Sequence, residues 1–413
     1  MRVSDGLDPV TVGQIAASVG ASVERKVASW DLYLFRFDEK VPVSEVVSKL
    51  QSRPEVQYAE PNVVLEALGS KGSTKKGLDP EIASGTPVIV AVIDTDIDYS
   101  HSAFSGSLYS NPGEIAGDGI DNDSNGYVDD TRGYDFFNHD NDASGSSGAG
   151  AHGTQVAGRV LAGALDTAVS ILPLRVGPGP SLSLASVVEA IDYATRMGAR
   201  VINMSFGTTT NVASLQEAVS FAASHNVLLV AAAGNGGDTQ NNYPAAYDEV
   251  ISVAATNAAG QKSSFSTYGK TVDFSAPGEN VSAPTWGGGT TTVNGTSFSS
   301  PFVAGVLAQL VSAFPDLSAK KLLKKLKSFV KKIDSLNIKA YRGKLGDGFI
   351  DEEVAEDVAD ATSLDVQAEY LKETEQLLVQ LQALDFQLNK DGVPEGLSAE
   401  SVPELVLPGV REK

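Results

Sequence analysis

Six apolar runs, VIVAVID, VSILPLRV, RVINMSF, VLLVAAAG, VISVAAT and TVDFSAP, succeed one another between residues 85 and 351. Stretches of helical periodicity at about 153–162, 183–197, 214–224 and 297–313 separate several of them. Runs with no polar face predict strands covered on both sides, and their alternation with helices predicts an α/β fold: a largely parallel sheet with helices on both faces. In such sheets ligand-binding groups gather at the carboxyl ends of strands. The first run ends in DTDID, with Asp94, Asp96 and Asp98 at alternate positions, so a buried strand delivers three carboxylates to the place where a site is expected.

A chain of 413 residues, 42% hydrophobic, can bury one large core and carry smaller modules. It has no cysteine, which excludes disulfides, thiolate catalysis and zinc–thiolate sites. A net charge of -21 argues against nucleic-acid backbones and anionic membranes as partners. No apolar stretch approaches the roughly 20 residues of a membrane span, and MRVSDGLDP has neither the basic nor the apolar region of an export signal. Residues 351–413 hold 16 acidic and 4 basic residues, so most of the charge belongs to the tail.

Residues 1–68 read as a small α+β unit. Helices are expected at 10–19 and 43–52 and strands at 29–37 and 56–68. Only Met1-Arg2-Val3 remain where an opening strand would be, which suggests an engineered or misassigned start. Residues 69–84, with GSKGSTKKG, have linker composition. The main unit is expected over 85–356 and an acidic, partly helical extension over 357–413, with an amphipathic pattern at 364–388. The Lys-rich 320–332 fits either an interfacial helix or, more ordinarily, a surface helix docked through Leu322, Leu323, Leu326 and Phe329.

Three segments carry chemistry. His152, in GAGAHGTQVAG, stands near a helix start with small residues around it, whereas His225 reads as a helix cap and His139 as a loop residue. Ser297, in VNGTSFSSPFVAG, sits where a glycine turn leads into a helix that Pro301 tolerates only near its first turn. Its hydroxyl suits a nucleophile and its free amide an oxyanion, although Gly-Thr-Ser before a helix, taken alone, is more often an ordinary helix cap. Asn235, in AAAGNGG, ends another strand, either as an amide donor to an oxyanion or as a turn residue.

Together, DTDID, HGTQVAG, VINMSFG, AAAGN and NGTSFSSPFVAG resemble, in order and context, the motifs of the subtilisin-like serine proteases, DTGID, HGTHVAG, an S-L-G segment, AAAGN and NGTSMASPHVAG. The resemblance implies a serine endopeptidase acting on polypeptides, with Asp94, His152 and Ser297 as the triad and Asn235 with the Ser297 amide as the oxyanion hole. It further implies that Ser205, Phe206 and Gly207 pair with extended substrate. With Ala232, Ala233 and Gly234 they would wall a pocket floored by Ala245, where the family usually has glycine. Apolar residues of medium size are therefore expected before the cleaved bond. YAEPN followed by VVLEAL is similar to the end of a subtilisin propeptide, a folding catalyst and intramolecular inhibitor, and places self-cleavage between Leu68 and Gly69. Asp98 with His101 matches a structural D-x-x-H continuation. Asp96 stands where the family has glycine, where a positive φ and a perturbed Asp94–His152 titration are both foreseeable.

DGIDNDSNGYVDD sets Asp121, Asp123 and Asn125 in the 1-3-5 spacing of a calcium loop, followed by Gly126 and the Tyr127 carbonyl. Asp129 or Asp130 would close the shell of a structural calcium ion. The rival to an active protease is a catalytically silent or prodomain-locked binding protein of the same fold. Calcium and a propeptide suit an exported bacterial enzyme, with a cytoplasmic location the alternative.

Overall fold

The structure, a computed structural model, describes residues 1–69, 74–75, 87–145 and 151–363. The N-terminal region runs β1 (Arg2–Val3), α1 (Pro9–Ser18), β2 (Ala21–Lys26), β3 (Tyr33–Phe37), α2 (Val43–Gln51), β4 (Val56–Tyr58) and β5 (Val64–Ala67). Helix α1 starts at Asp8, whose carboxylate accepts from the Thr11 amide at 3.0 Å, with Pro9 in the first turn. Val3, Val12, Ile15, Val46, Leu50 and Val56 form the local core.

Three details differ from expectation. Arg2–Val3 do form an opening strand, paired antiparallel with β4. Strand β2 pairs with β3 although its sequence, ASVERK, has no apolar alternation, because one of its faces remains in water. The expected strand at 56–68 is two strands: Pro61 has no N–H to donate, and Glu60 and Asn62 turn away to bind helix ends.

The main region continues with β6 (Thr74–Lys75), β7 (Val88–Asp94), β8 (Tyr134–Asp135), α3 (His152–Ala164), β9 (Val169–Arg175), β10 (Ser181–Ser183), α4 (Leu184–Arg196), β11 (Val201–Met204) and β12 (Phe206–Gly207). After these come α5 (Ala213–Ser224), β13 (Leu228–Ala232), β14 (Val250–Thr256), β15 (Phe274–Pro277), β16 (Val281–Pro284), β17 (Thr290–Val293), α6 (Ser300–Ala313) and α7 (Ala319–Leu326). Seven strands form one parallel sheet in the order β15-β14-β13-β11-β7-β9-β8.

Side chains alternate across this sheet. Val88, Val90 and Val92 of β7 face a core that holds α3 and α6, while Ala91 and Ile93 face the core that holds α4 and α5. Helices α3 and α6 cross closely. A Cβ on Gly163 would lie 2.0 Å from the Phe302 carbonyl oxygen, and one on Gly305 2.1 Å from that of Val160. The chain leaves β7 first toward β9 and later returns to its other side at β11, so a crevice opens at the carboxyl end of β7, beside Asp94.

Helix α7 is shorter than the Lys-rich pattern and docks through buried Leu322 and Leu326, with Leu323 and Phe329 packed on the same core. Residues 296–313 are long and apolar enough to cross a membrane, but 89% of that window is buried inside the protein. Residues Met1–Val358 form one compact unit. The expected helix at 364–388 and most of the 69–84 linker lie outside the described residues.

Candidate active site

Asp94 ends β7 fully buried, and its Oδ1 accepts from His152 Nδ1 at 2.8 Å and from the Thr95 amide at 2.7 Å. The Gly153 amide, one of the unpaired donors at the start of α3, gives its hydrogen to Thr95 Oγ1 at 3.0 Å. Thr95 thus ties the strand end to the histidine's helix. His152 Nε2 is buried without a hydrogen-bond partner and faces the cleft.

Ser297 lies in a 3-10 turn (Thr296–Phe298) just before α6, not in the helix itself. Its hydroxyl donates to the Ser205 carbonyl at 2.9 Å. Its amide donates to the Leu68 carbonyl at 3.3 Å, and Asn235 Nδ2 donates to that same oxygen at 2.8 Å. The orientation of Asn235 is set by Thr296, whose amide and hydroxyl both donate to Asn235 Oδ1 at 3.0 Å. With its oxygen held there, the amide nitrogen must point at Leu68. A Cβ on Gly295 would sit 2.6 Å from the Leu68 oxygen, so only glycine leaves the carbonyl room.

The segment that fills the cleft is the chain's own β5. It is the middle strand of a three-stranded sheet, antiparallel to β10 through Ser181–Ser183 and to β12 through Phe206–Gly207. The Ala67 amide reaches the Pro180 carbonyl at 2.8 Å, and the Leu68 amide reaches that of Ser205 at 3.1 Å. Leu65 is fully buried in one core with Leu182, Phe206 and Val212, while Glu66 is exposed. Leu68 Cδ1 lies 3.4 Å from where Gly207 would carry a Cβ. Ala232, Ala233 and Ala245 are buried, and Asn242, which sequence reading did not single out, bonds the Ala233 carbonyl at 3.2 Å and packs on Gly234.

The rest of the N-terminal region is bound by two helices. Glu60 accepts from the Ala213 and Ser214 amides, each at 2.9 Å, at the start of α5, and Asn62 Oδ1 accepts from Ala185 at the start of α4. Arg25 pairs with Glu189 at 3.2 Å and Ser29 donates to Asp192. Burial pushes Glu189 up to about 7 against the pull of Arg25.

Asp96 is buried and does not take a positive φ. It pairs with Arg175 of β9, which also pairs with Asp135. Burial raises the Asp96 carboxyl, and Arg175 opposes that shift. Asp98 accepts from Ser100 and the Gly287 amide, and His101 Nε2 bonds the Gly289 carbonyl at 2.8 Å, so both hold a neighbouring loop. His225 ends α5 against the Phe221 carbonyl.

In the acidic loop the carboxylates that converge are Glu114, Asp123 and Asp130, with ligand oxygens within 4.8 Å of one another. The side-chain amides of Asn111 and Asn125 each donate to both Asp123 and Asp130. Asp121 accepts from the Asn125 and Gly126 amides, and the Tyr127 ring packs against Tyr134, Phe136 and Tyr193. Asp129 instead binds the backbone amides of 117–119. Three hard oxygen donors drawn together in this way fit a divalent cation such as calcium.

Residues 85–342 match the family described as Subtilase family, and residues 5–62 match the Fervidolysin N-terminal prodomain. Thermitase from Thermoactinomyces vulgaris is 36% identical over 241 residues, 56% of this chain and 77% of thermitase. The thermophilic serine proteinase of Bacillus sp. (strain AK1) is 32% identical over 65% of this chain and 67% of its own. The chain spans about half of the thermostable alkaline protease of Halalkalibacterium halodurans, 51%, at 38% identity. Among solved structures, fervidolysin from Fervidobacterium pennivorans, a keratinolytic enzyme related to subtilisin, has a TM-score of 0.66 at 22% identity, covering 84% of this chain and 59% of that one. At that identity the likeness is one of fold.

Proposed function

Since the chain belongs to the subtilase family of serine endopeptidases, we propose that it hydrolyses peptide bonds with Asp94, His152 and Ser297 and that its first substrate is its own Leu68–Gly69 bond. In this reading residues 1–68 are a prodomain that inhibits the protease unit at 85–356. The observation that carries it is the Leu68 carbonyl oxygen, bound by both Asn235 Nδ2 and the Ser297 amide while Gly69 lies against His152.

Reaction begins when the Ser297 hydroxyl turns from the Ser205 carbonyl to His152 Nε2. His152 takes the proton as Oγ attacks the Leu68 carbonyl carbon, and Asp94 Oδ1 holds the imidazolium through Nδ1–H. Negative charge collects on the Leu68 oxygen, where the two donors already point, so no dipoles need reorganise. His152 then protonates the Gly69 nitrogen, the bond breaks, and water entering by the same base frees the Leu68 carboxylate from the acyl-enzyme. Until β5 departs, the product strand keeps other polypeptides out.

Glu114, Asp123 and Asp130 are the residues that would hold calcium, whose charge would offset their repulsion and stiffen the loop between β7 and α3. Export from a bacterial cell completes the proposal and is supported by the prodomain match.

Intact mass before and after a fluorophosphonate probe, with Ser297→Ala alongside, tests the reading. A probe adduct on a fragment starting at Gly69, absent in Ser297→Ala, is the expected result. A chain that stays uncut and unlabelled would instead make this a silent binding protein of the same fold.

A further inference from the structure

We propose that Phe298 closes the leaving-group side of the cleft, so that the enzyme selects glycine directly after the cleaved bond and its substrates are extended segments containing a Leu-Gly step. The proposal rests on the reading that Leu68–Gly69 is the bond cut.

The space around Gly69 is the starting point. A Cβ on this residue would stand 2.8 Å from His152 Cδ2, 2.8 Å from His152 Nε2 and 2.8 Å from Phe298 Cζ. Carbon atoms in ordinary contact are about 3.5–4.0 Å apart, so any larger residue must displace one of these groups. His152 cannot yield without harm, because its Nδ1 is fixed 2.8 Å from Asp94 and its Nε2 must stay in reach of both Ser297 and the leaving nitrogen.

Phe298 has nowhere to retreat. It is fully buried within the core that also contains Phe302, its ring centroid lies 5.5 Å from that of His152, and its carbonyl accepts from Arg159 Nε at 3.3 Å. Gly295 comes close to the Gly69 backbone on another side, where a Cβ on Gly295 would stand 3.0 Å from Gly69 Cα. The backbone of Gly69 is not in the left-handed region. Selection is therefore by room beside the Cα and not by glycine's conformational freedom.

The positions before the bond behave differently. Glu66 is exposed and Ala67 and Leu68 are half-buried, whereas Leu65 is fully buried. Leu68 has van der Waals separation from Gly207, at 3.4 Å from the site of an added Cβ. The steric exclusion is thus concentrated on the leaving side, where one aromatic ring and the catalytic histidine share a single small space.

The test uses the self-processed enzyme and internally quenched peptides carrying Val-Leu-Glu-Ala-Leu followed by Gly, Ala or Ser. The expected kcat/KM for Gly exceeds that for Ala by about 10–200-fold, the range for one added carbon against a hydrophobic pocket wall. Phe298→Met, whose unbranched side chain can bend aside, should bring the ratio to within about threefold by raising cleavage of the Ala peptide. Equal rates on Gly and Ala in the wild type, or an unchanged ratio in Phe298→Met, would overturn the proposal. In the full chain, Gly69→Ala should slow self-cleavage by the same factor, followed by intact mass; normal processing would also overturn it, and this holds even where Phe298→Met fails to fold. No cleavage of any peptide, together with no fluorophosphonate labelling, would bring down the protease reading itself.

Discussion

Asn235 acts on the Leu68 carbonyl only because Thr296 holds its other end. Asn235→Leu should lower kcat by about 10²–10³ with KM little changed, the effect of losing one preorganised donor. Thr296→Val keeps the donor and the backbone amide's hold on Asn235 Oδ1 but removes the hydroxyl's, and steady-state kinetics should show a smaller loss in kcat, about tenfold or less. Asp96 raises a different question of energy. Its carboxylate, Arg175 and Asp135 form a buried three-residue network, and Gly145 packs so closely that an added Cβ would meet the Asp96 carboxyl carbon at 2.3 Å. Removing one partner of a buried pair costs about 3–5 kcal/mol, and Arg175 retains Asp135, so Asp96→Ala should destabilise by about 3 kcal/mol or less in denaturant melts. A gain in stability would show that Asp96 is tolerated strain and not a support. Its glycine-like position in the motif hid this role, because sequence alone gave no reason to pair it with a strand end 79 residues away.

At the scale of elements, α4 and α5 offer their amino ends to the prodomain, and Glu60 and Asn62 accept. One titratable group in this seam is Glu189, with Arg25, Asp192 and Arg196 around it. Its carboxyl rises from an ordinary 4.5 to about 7 when buried. A raised carboxyl pKa favours the protonated, folded form, so this contribution is full below about 4.5 and is lost as pH climbs toward 7. Between pH 5 and pH 8 the uncut chain carrying Ser297→Ala should therefore lose melting temperature relative to the same chain with Glu189→Gln added, a difference that sets aside groups titrating the other way, such as the buried Met1 amine lowered to about 6. Whereas the two-residue edge strand β8, Tyr134–Asp135, carries no apolar run, six of the seven strands of the large sheet were readable as such runs because both of their faces are covered. Strand β2 was not, since one face meets water, and the break between β4 and β5 depended on Pro61 and on side chains whose partners lie over 120 residues away.

For the whole molecule, the site was legible where chemistry follows local motif. Asp94 and His152 are hydrogen-bonded to each other, and Asn235 and the Ser297 amide both bind the Leu68 carbonyl. What spacing could not show was convergence between motifs: Thr95, Thr296 and Asn242 act through residues distant in the chain, and Glu114 joins the acidic cluster from outside the 1-3-5 pattern. If that cluster holds calcium, excess chelator should lower the melting temperature of the uncut Ser297→Ala chain, and Asp123→Asn should make the melt insensitive to it; each tenfold of calcium above its dissociation constant stabilises by about 1.4 kcal/mol. The central place of β5 between β10 and β12 has a last consequence. If that strand leaves after the proposed self-cleavage, two backbone edges stand open, and a visiting polypeptide can satisfy both only by giving up its own helix or sheet over some five residues. The enzyme would thus read the local unfolding of its targets as much as their side chains. A tightly folded protein holding a buried Leu-Gly step would pass untouched, and the same protein would be cut once heat or age loosened that stretch.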